Sequence, residues 1–563
     1  MPQCGCARFD PLQNLPVCSL RTVSGIPHWQ AIDPGMENPP QSVNVREAVF
    51  DLLRRLGITT IFGNPGSTEL PMFRSFPDDF RYVLGLQEAV VVGMADGYAQ
   101  ATGNASLVSL HSAAGVGNAM GNIFTAFKNH TPLVITAGQQ ARSILPYDPF
   151  LASSHPAELP RPYVKWSIEP ACPHDVPQAF ARAYSTAMLP PRGPVFLSIP
   201  ADDWDQPSEL VAERVVSSEV RPEPRMMERI GDALDQSESP VFVAGAAIDR
   251  DNAFDEIVRL AEMHNARVWT APMCGRCGFP EDHPLFAGFL PAAREKIVAL
   301  LDCHDLIFVI GAPAFTYHVE GHGPHIPHGA ALCQLIDDPS TASWTPAGTI
   351  AVGSIRLGVL DLLSRPAPRQ RARPLPRGPG PMAGPSTPMS AAFVLQTLDR
   401  LRPGNSVVVE EAPTARPVMQ ACMIFTHSRS FFTMDSGGLG YGMPAALGVA
   451  LAMPDQRVVA ILGDGSSMYS IQALWSAAQL KLSVLFLVLN NRRYAALQEF
   501  APLFGFSSGE PVQGTELPGI DFVALAQGQG CCALHVELPS ELEPALTRAF
   551  HSRAPVLIEA AIA

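Results

Sequence analysis

The chain has 563 residues, with 39 Lys plus Arg against 53 Asp plus Glu, a formal charge of −14. That balance argues against nucleic acid or an acidic membrane surface as the main partner, because proteins that bind phosphate backbones usually carry a basic face. An apolar share of 47% with 16% charged residues excludes wholesale disorder and suits several well-buried domains. No uncharged apolar run reaches the roughly 18 residues of a membrane helix. The 11 cysteines are scattered, which reads as reduced thiols in a cytoplasmic protein rather than a disulfide framework. The lone Cys274-x-x-Cys277 pair lacks a second ligand pair, so it predicts no zinc site.

Residues 1–42 hold three Cys and several Pro and Gly without periodicity, and read as a disordered extension, with Met36 as a second candidate start. They do not read as a signal peptide. From Val43 the pattern becomes alternating α and β. Val45–Leu56 has helical spacing, Ile58–Phe62 reads as a strand, and a Gly/Pro turn follows at Gly63–Ser67. Strand Tyr82–Leu86, a small-residue helix Ala89–Thr102, strand Ser106–Leu110, helix Gly115–Phe127 and strand Leu133–Ala137 come next. A helix over 176–188 and strand Pro194–Ile199 close the unit. Residues 205–224 read as a linker. A second unit has strand Val241–Ala244, helix Phe254–Asn265, and strands Arg267–Ala271 and Leu306–Ile310. Arg365–Pro388 carries eight Pro and five Arg, which predicts an extended, solvated spacer. The third unit has strands Ser406–Val409, Val458–Leu462, Val484–Leu489 and Val556–Glu559. The chain is therefore α/β, with three doubly wound parallel-sheet domains over 43–205, 222–364 and 389–563.

The third unit carries the chemistry. Strand Val458–Leu462 runs into Gly463-Asp464-Gly465-Ser466, with a helix expected near Ser470. Glycines at the carboxyl end of a parallel strand allow a tight turn whose amides can face a phosphate. The next strand ends in Asn490-Asn491, 27 residues after Asp464 (491 − 464). If the two strands are neighbours, a carboxylate and an amide oxygen meet at one sheet edge. With a backbone carbonyl and phosphate oxygens they would complete an octahedral Mg²⁺ shell. Alone, Asp-Gly is a common turn pair; the paired Asn-Asn favours the metal reading.

Gly463-Asp464-Gly465-Ser466 through Asn490-Asn491 resembles the diphosphate motif of thiamine diphosphate (ThDP) enzymes, and the resemblance runs from about Val43 to Ala563. Gly63-Asn64-Pro65-Gly66-Ser67, Leu86-Gln87-Glu88-Ala89, Leu110-His111-Ser112-Ala113-Ala114-Gly115, Leu159-Pro160-Arg161-Pro162 and Gly437-Gly438-Leu439-Gly440 are similar to the benzoylformate decarboxylase family of 2-oxo-acid decarboxylases. The resemblance implies a pyrimidine-binding, a middle and a diphosphate-binding domain, with ThDP and Mg²⁺ as cofactors. It places Glu88 against the cofactor pyrimidine, and Leu439 under the cofactor to hold its bend. It makes His111 and His283 proton carriers and Ser67 a donor to the substrate carboxylate. It assigns Asp464, Asn491 and the Arg493 carbonyl to the metal. Thr414, Gly438, Gly465, Ser466, Tyr469 and Tyr494 join Glu88, Leu439 and Asn491 in holding the cofactor. His130 and His318 remain structural in this reading. Because Glu88 and Asp464 lie on different domains, the family's interfacial site implies a homodimer or homotetramer.

Some positions depart from the pattern. Arg492-Arg493-Tyr494-Ala495 stands where Gly-Thr-Tyr-Gly is typical, and Ala412-Pro413-Thr414 loses a phosphate-facing hydroxyl and an N–H. Glu499 replaces a typical aromatic residue beside Ala496, Leu497 and Phe500. The reading that results is non-oxidative decarboxylation of an aryl or bulky 2-oxo acid, with carboligation as a side activity. The alternatives are a ThDP carboligase or lyase of the acetolactate synthase or benzaldehyde lyase type, and a catalytically weak homologue.

Overall fold

The computed structural model describes residues 43–366, 368–378 and 380–563. The expectations for the N-terminal extension and its second start lie outside the described residues. Three six-stranded sheets follow one another along the chain. The first has the spatial order Arg81–Leu84, Thr60–Gly63, Ser106–Leu110, Leu133–Gln139, Val195–Pro200, Ser167–Ile168. The second runs Phe286–Phe289, Arg267–Thr270, Pro240–Ala244, Leu306–Ile310, Ala331–Ile336, Thr349–Val352. The third runs Phe431–Thr433, Val407–Glu411, Val458–Gly463, Val484–Asn490, Val556–Ala561, Cys532–Val536. Every pairing within them is parallel, as helical crossovers require. The central strands are buried on both faces, so their sequences are continuous apolar runs rather than alternating ones.

The first and third sheets are joined by two helices that cross at close range. Glu88–Thr102 packs along Gly442–Ala452. A Cβ on Gly97 would lie 2.1 Å from the Ala445 carbonyl oxygen, and one on Gly448 would lie 1.9 Å from that of Met94. Only glycine allows the two backbones to approach so closely.

A buried polar network ties this crossing to the middle sheet. The Gln100 side-chain amide donates to Asp96 and to the Tyr441 hydroxyl. Arg276 donates to the Gln100 carbonyl oxygen at 3.1 Å and to Asp249 at 2.8 Å. Asp249 also accepts the Ser428 hydroxyl and the Arg429 N–H.

Both linkers are more firmly held than their composition predicts. Pro207–Ser208 pairs antiparallel with Val43–Asn44. The described residues of 365–388 have no helix or extended ladder, in keeping with their proline content. They are nevertheless docked. Arg365 binds Asp232 and Asp235, and Arg371 donates to the carbonyls of Leu234 and Ser237 at the end of helix Pro224–Gln236. The arginines neutralise the negative end of that helix, so the segment acts as a strap rather than a free spacer.

Candidate active site

Strands Val458–Gly463 and Val484–Asn490 are adjacent, with Gly463 opposite Leu489. Asp464 and Asn491 therefore leave neighbouring strands at the same edge, as the 27-residue spacing implies. Asp464 is itself the first residue of a short helix, Asp464–Met468, so the helix begins earlier than Ser470. The Asp464 Oδ1 accepts the Gly465 N–H at 2.7 Å. Its Oδ2 is buried and has no hydrogen-bond partner among the described residues. Burial pushes this carboxyl up, partly offset by the nearby amides of Gly465, Arg492, Arg493 and Asn491. A bare, buried carboxylate oxygen is costly alone, and a divalent cation would relieve that cost.

The loop opposite is shaped around the same point. Asn491 Oδ1 accepts the Arg493 N–H at 3.2 Å. The Arg492 carbonyl takes the Leu517 N–H, and the Tyr494 N–H goes to Thr515. The Arg493 carbonyl receives no backbone donor among the described residues and stays open to a cation. A Cβ on Gly465 would lie 2.2 Å from the Tyr494 ring, so a larger residue there would displace that ring. Ser466 is buried, and Tyr469, 56% exposed, stands at the rim. Burial and the neighbouring Tyr469 push the Tyr494 hydroxyl up. Thr414 Oγ1 accepts the Ala496 N–H at 3.1 Å and ties its strand end to helix Ala495–Phe500. Arg492 stands where glycine was expected, and it adopts φ +57°, the left-handed region that glycine enters without penalty. Among the described residues no cluster of three or more His, Cys, Asp or Glu could hold a metal by itself. The proposed shell needs only one carboxylate, with an amide oxygen, a carbonyl and ligand oxygens.

Gly438 and Leu439 lie on a turn gripped from below by a residue absent from the sequence reading. Glu411, 1% exposed at the end of its strand, accepts the N–H of Gly440 at 2.6 Å and that of Gly442. Burial pushes its carboxyl up to about 8 against the pull of those amides. The Gly438 N–H is held by Ser436 Oγ at 3.0 Å, and Leu439 is half-buried against the shared core. Glu411 looks in sequence like one more residue of an apolar strand, and only the turn that folds over it reveals its work.

Glu88 opens helix Glu88–Thr102, with Gln87 as its N-cap. It is 9% exposed, and its Oε2 accepts the Asn118 amide at 3.1 Å. Gly115 leaves room beside it, since a Cβ there would come to 3.4 Å of Oε1. His111 caps helix Ser112–Lys128, with its Nδ1 2.9 Å from Glu69 Oε2. Ser67 is exposed on the turn that also holds Gly66 and Glu69. The structure thus gathers Ser67 and His111 around one turn.

His283 does not join them. Its Nε2 lies 3.3 Å from Glu262, its Nδ1 accepts the Leu285 N–H, and its ring abuts Phe279, all within the middle sheet's surroundings. His318, read from sequence as structural, packs edge-on against Phe500 with ring centroids 4.7 Å apart. Phe500 lies on the helix that follows Asn491, so His318 is the middle-region histidine beside the third sheet's edge. No local signal distinguishes the two, because the contact spans nearly 200 residues of chain. Burial and Arg250 hold the His130 ring down at about 4, so it stays neutral near pH 7. Cys274 and Cys277 donate to backbone carbonyls, and burial pushes both thiols up.

Known proteins resemble the chain over most of its length. Three thiamine pyrophosphate enzyme family descriptions fit the chain: the N-terminal TPP binding domain over 43–156, the central domain over 227–361 and the C-terminal TPP binding domain over 415–560. A benzoylformate decarboxylase of Pseudomonas aeruginosa is 46% identical over 92% of this chain and 98% of its own length. Acetolactate synthase isozyme 3 large subunit of Escherichia coli is 28% identical over 89% of this chain and 91% of its own. The crystal structure of benzoylformate decarboxylase from Polynucleobacter necessarius aligns with a TM-score of 0.89 at 40% identity, covering 92% of this chain and 98% of that one. A 4-hydroxybenzoylformate decarboxylase of Rhodococcus jostii RHA1 aligns with a TM-score of 0.89 at 39% identity, over 92% of this chain and 99% of that one.

Proposed function

The chain belongs to the thiamine pyrophosphate enzymes, within the benzoylformate decarboxylase family, and from that premise we propose that it removes CO₂ from an aryl or similarly bulky 2-oxo acid and releases the aldehyde. The observation that carries this reading is the buried, unpartnered Asp464 Oδ2 at the edge where Asn491 emerges. When bound, ThDP supplies the sink for the electron pair left as CO₂ departs.

The chain's own residues do the rest. Asp464, Asn491 and the Arg493 carbonyl would hold Mg²⁺, and Gly465, Ser466 and Thr414 would hold the diphosphate. Gly438, Leu439, Tyr469 and Tyr494 would line the cofactor's bed, and Glu88 would face the pyrimidine. Ser67 donates to the substrate carboxylate and so orients the bond that breaks. His111 delivers a proton to the carbon that lost CO₂, and His318, rather than His283, serves as the second carrier. Phe500, Leu497 and Ala496 form an apolar wall suited to an aryl group, with the exposed Glu499 beside it. A second copy of the chain completes the site in a homodimer or homotetramer. Among the described residues no helix is long and apolar enough to cross a membrane, and the described cysteines are free, which fits a cytoplasmic setting.

The test is a panel of 2-oxo acids with ThDP and Mg²⁺, scored for CO₂ and aldehyde. Benzoylformate or a ring-substituted analogue is expected to give both in equal amounts. Cofactor binding without CO₂ from any member, or acetolactate formed from pyruvate, would replace this reading with the carboligase one.

A further inference from the structure

The turn after strand Thr60–Gly63 ends in a carboxylate, Glu69, that is 4% exposed. Four donors converge on it. Its Oε1 accepts the Gly138 N–H and the Thr68 hydroxyl, both at 2.8 Å. Its Oε2 accepts the Gly66 N–H at 2.9 Å and lies 2.9 Å from His111 Nδ1. The packing leaves no slack. A Cβ on Gly66 would lie 2.0 Å from His111 Nδ1, and one on Gly138 would lie 2.3 Å from Glu69 Oε1.

An ionised carboxylate accepts hydrogen bonds and has none to give. The contact between Oε2 and the imidazole is therefore attractive only when Nδ1 carries the proton. Thr68 Oγ1 points the same way. It lies 3.3 Å from Nδ1, but its own proton is committed to Glu69, so toward the ring it can only accept. Among the described residues Nδ1 thus faces two acceptors and no donor. His111 Nε2 makes no hydrogen bond among the described residues.

Resting on the reading of His111 as a proton carrier, we propose that Glu69 is its positioning residue: it fixes the Nδ1–H tautomer and leaves Nε2 as the atom that takes and returns the proton. In each transfer one proton moves between Nε2 and the reacting carbon or its solvent donor. The ring gains and loses that proton at Nε2, while the Nδ1–H stays in place against Glu69. This is the logic by which a buried carboxylate orients a catalytic histidine.

The test is ¹⁵N NMR of the holoenzyme labelled at histidine, with the His111 signals identified by their loss in His111→Gln. The neutral ring is expected to show a protonated Nδ1 and a bare Nε2; the opposite pattern overturns the proposal. The spectrum needs no turnover, so its outcome is separate from that of the decarboxylase reading. Full activity of His111→Gln would strike that reading and leave the tautomer standing. In parallel, Glu69→Gln is expected to lose roughly 10²-fold in kcat with little change in KM, the scale of a lost orienting partner, and Glu69→Asp to recover part of it. An unchanged kcat in folded Glu69→Gln would contradict the assignment. Should that variant not fold, the parent spectrum alone decides.

Discussion

At the residue scale, the site mixes side chains whose roles follow from their sequence neighbours with others whose roles follow only from the fold. Asp464 and Asn491 are of the first kind. Each ends a buried apolar strand, and the spacing between them allows for one helix, so their meeting at one edge could be read before any coordinates. The burial of Glu88 is also legible, since it heads a helix of small apolar residues that packs on every side. His283 and His318 are of the second kind. The His-Pro turn made His283 look placed for function, yet its partners are Glu262, Phe279 and Leu285. Phe500 gives His318 its position. His318→Ala is therefore expected to slow decarboxylation by roughly 10² to 10⁴, as loss of a proton carrier does. His283→Ala should leave kcat near that of the parent. Steady-state kinetics on benzoylformate check both, and the reverse ranking would return the role to His283.

At the scale of elements, the least legible helix is the one that matters most to the domain junction. Gly442–Ala452 is apolar on every side, so it lacks the one-faced pattern that marks a surface helix. It is buried instead against helix Glu88–Thr102, whose first residue is the proposed pyrimidine partner. Its own first turn follows Leu439 and hangs from Glu411. Two features proposed to face the cofactor thus share one glycine-lined crossing. Gly448→Val is expected to force those backbones apart, because even a Cβ would sit 1.9 Å from the Met94 carbonyl oxygen. A loss of several kcal/mol, on the order of 3 or more, is the scale for such overpacking. Thermal unfolding and the soluble yield measure it, and a parent-like Tm would refute the close crossing. The edge strands Phe286–Phe289, Phe431–Thr433 and Cys532–Val536 also went unread, being short and at the margins of their sheets. Composition predicts the absence of helix and ladder in the described residues of 365–388, but it does not reveal that Arg371 meets helix-end carbonyls.

At the scale of the whole molecule, the network of Asp96, Gln100, Tyr441, Arg276 and Asp249 joins all three sheets and carries a pH signature. Asp96 is fully buried, and desolvation raises its carboxyl from 3.8 to about 6 despite donors from Gln100, Thr131 and Asn129 and the charge of Arg276. A carboxyl raised on folding stabilises the folded state below its unfolded value and loses that contribution as pH rises through the folded one. The loss here falls between pH 3.8 and about 6 and is on the order of 3 kcal/mol. Asp96→Asn does not titrate. Whatever fixed cost the substitution adds, its Tm should gain on that of the parent across this window and run parallel above it. A constant difference from pH 4 to 7 would contradict the raised carboxyl.

In the proposed function one chain carries the pyrimidine half of a site in its first sheet and the diphosphate half in its third, and a second copy supplies the missing half. Glu88→Gln and Asp464→Asn should each abolish most decarboxylation alone. Co-expressed with separate tags and purified through both, the mixed oligomer places both substitutions in one site and none in another. The deciding measurement is CO₂ release from benzoylformate by that mixed oligomer with ThDP and Mg²⁺. Random pairing of two-site dimers is expected to restore activity up to about a quarter of the parent's before tag selection, and more after it. Mixed oligomers as inactive as either variant would show that Glu88 and Asp464 do not meet across two copies, and would contradict a site shared between them.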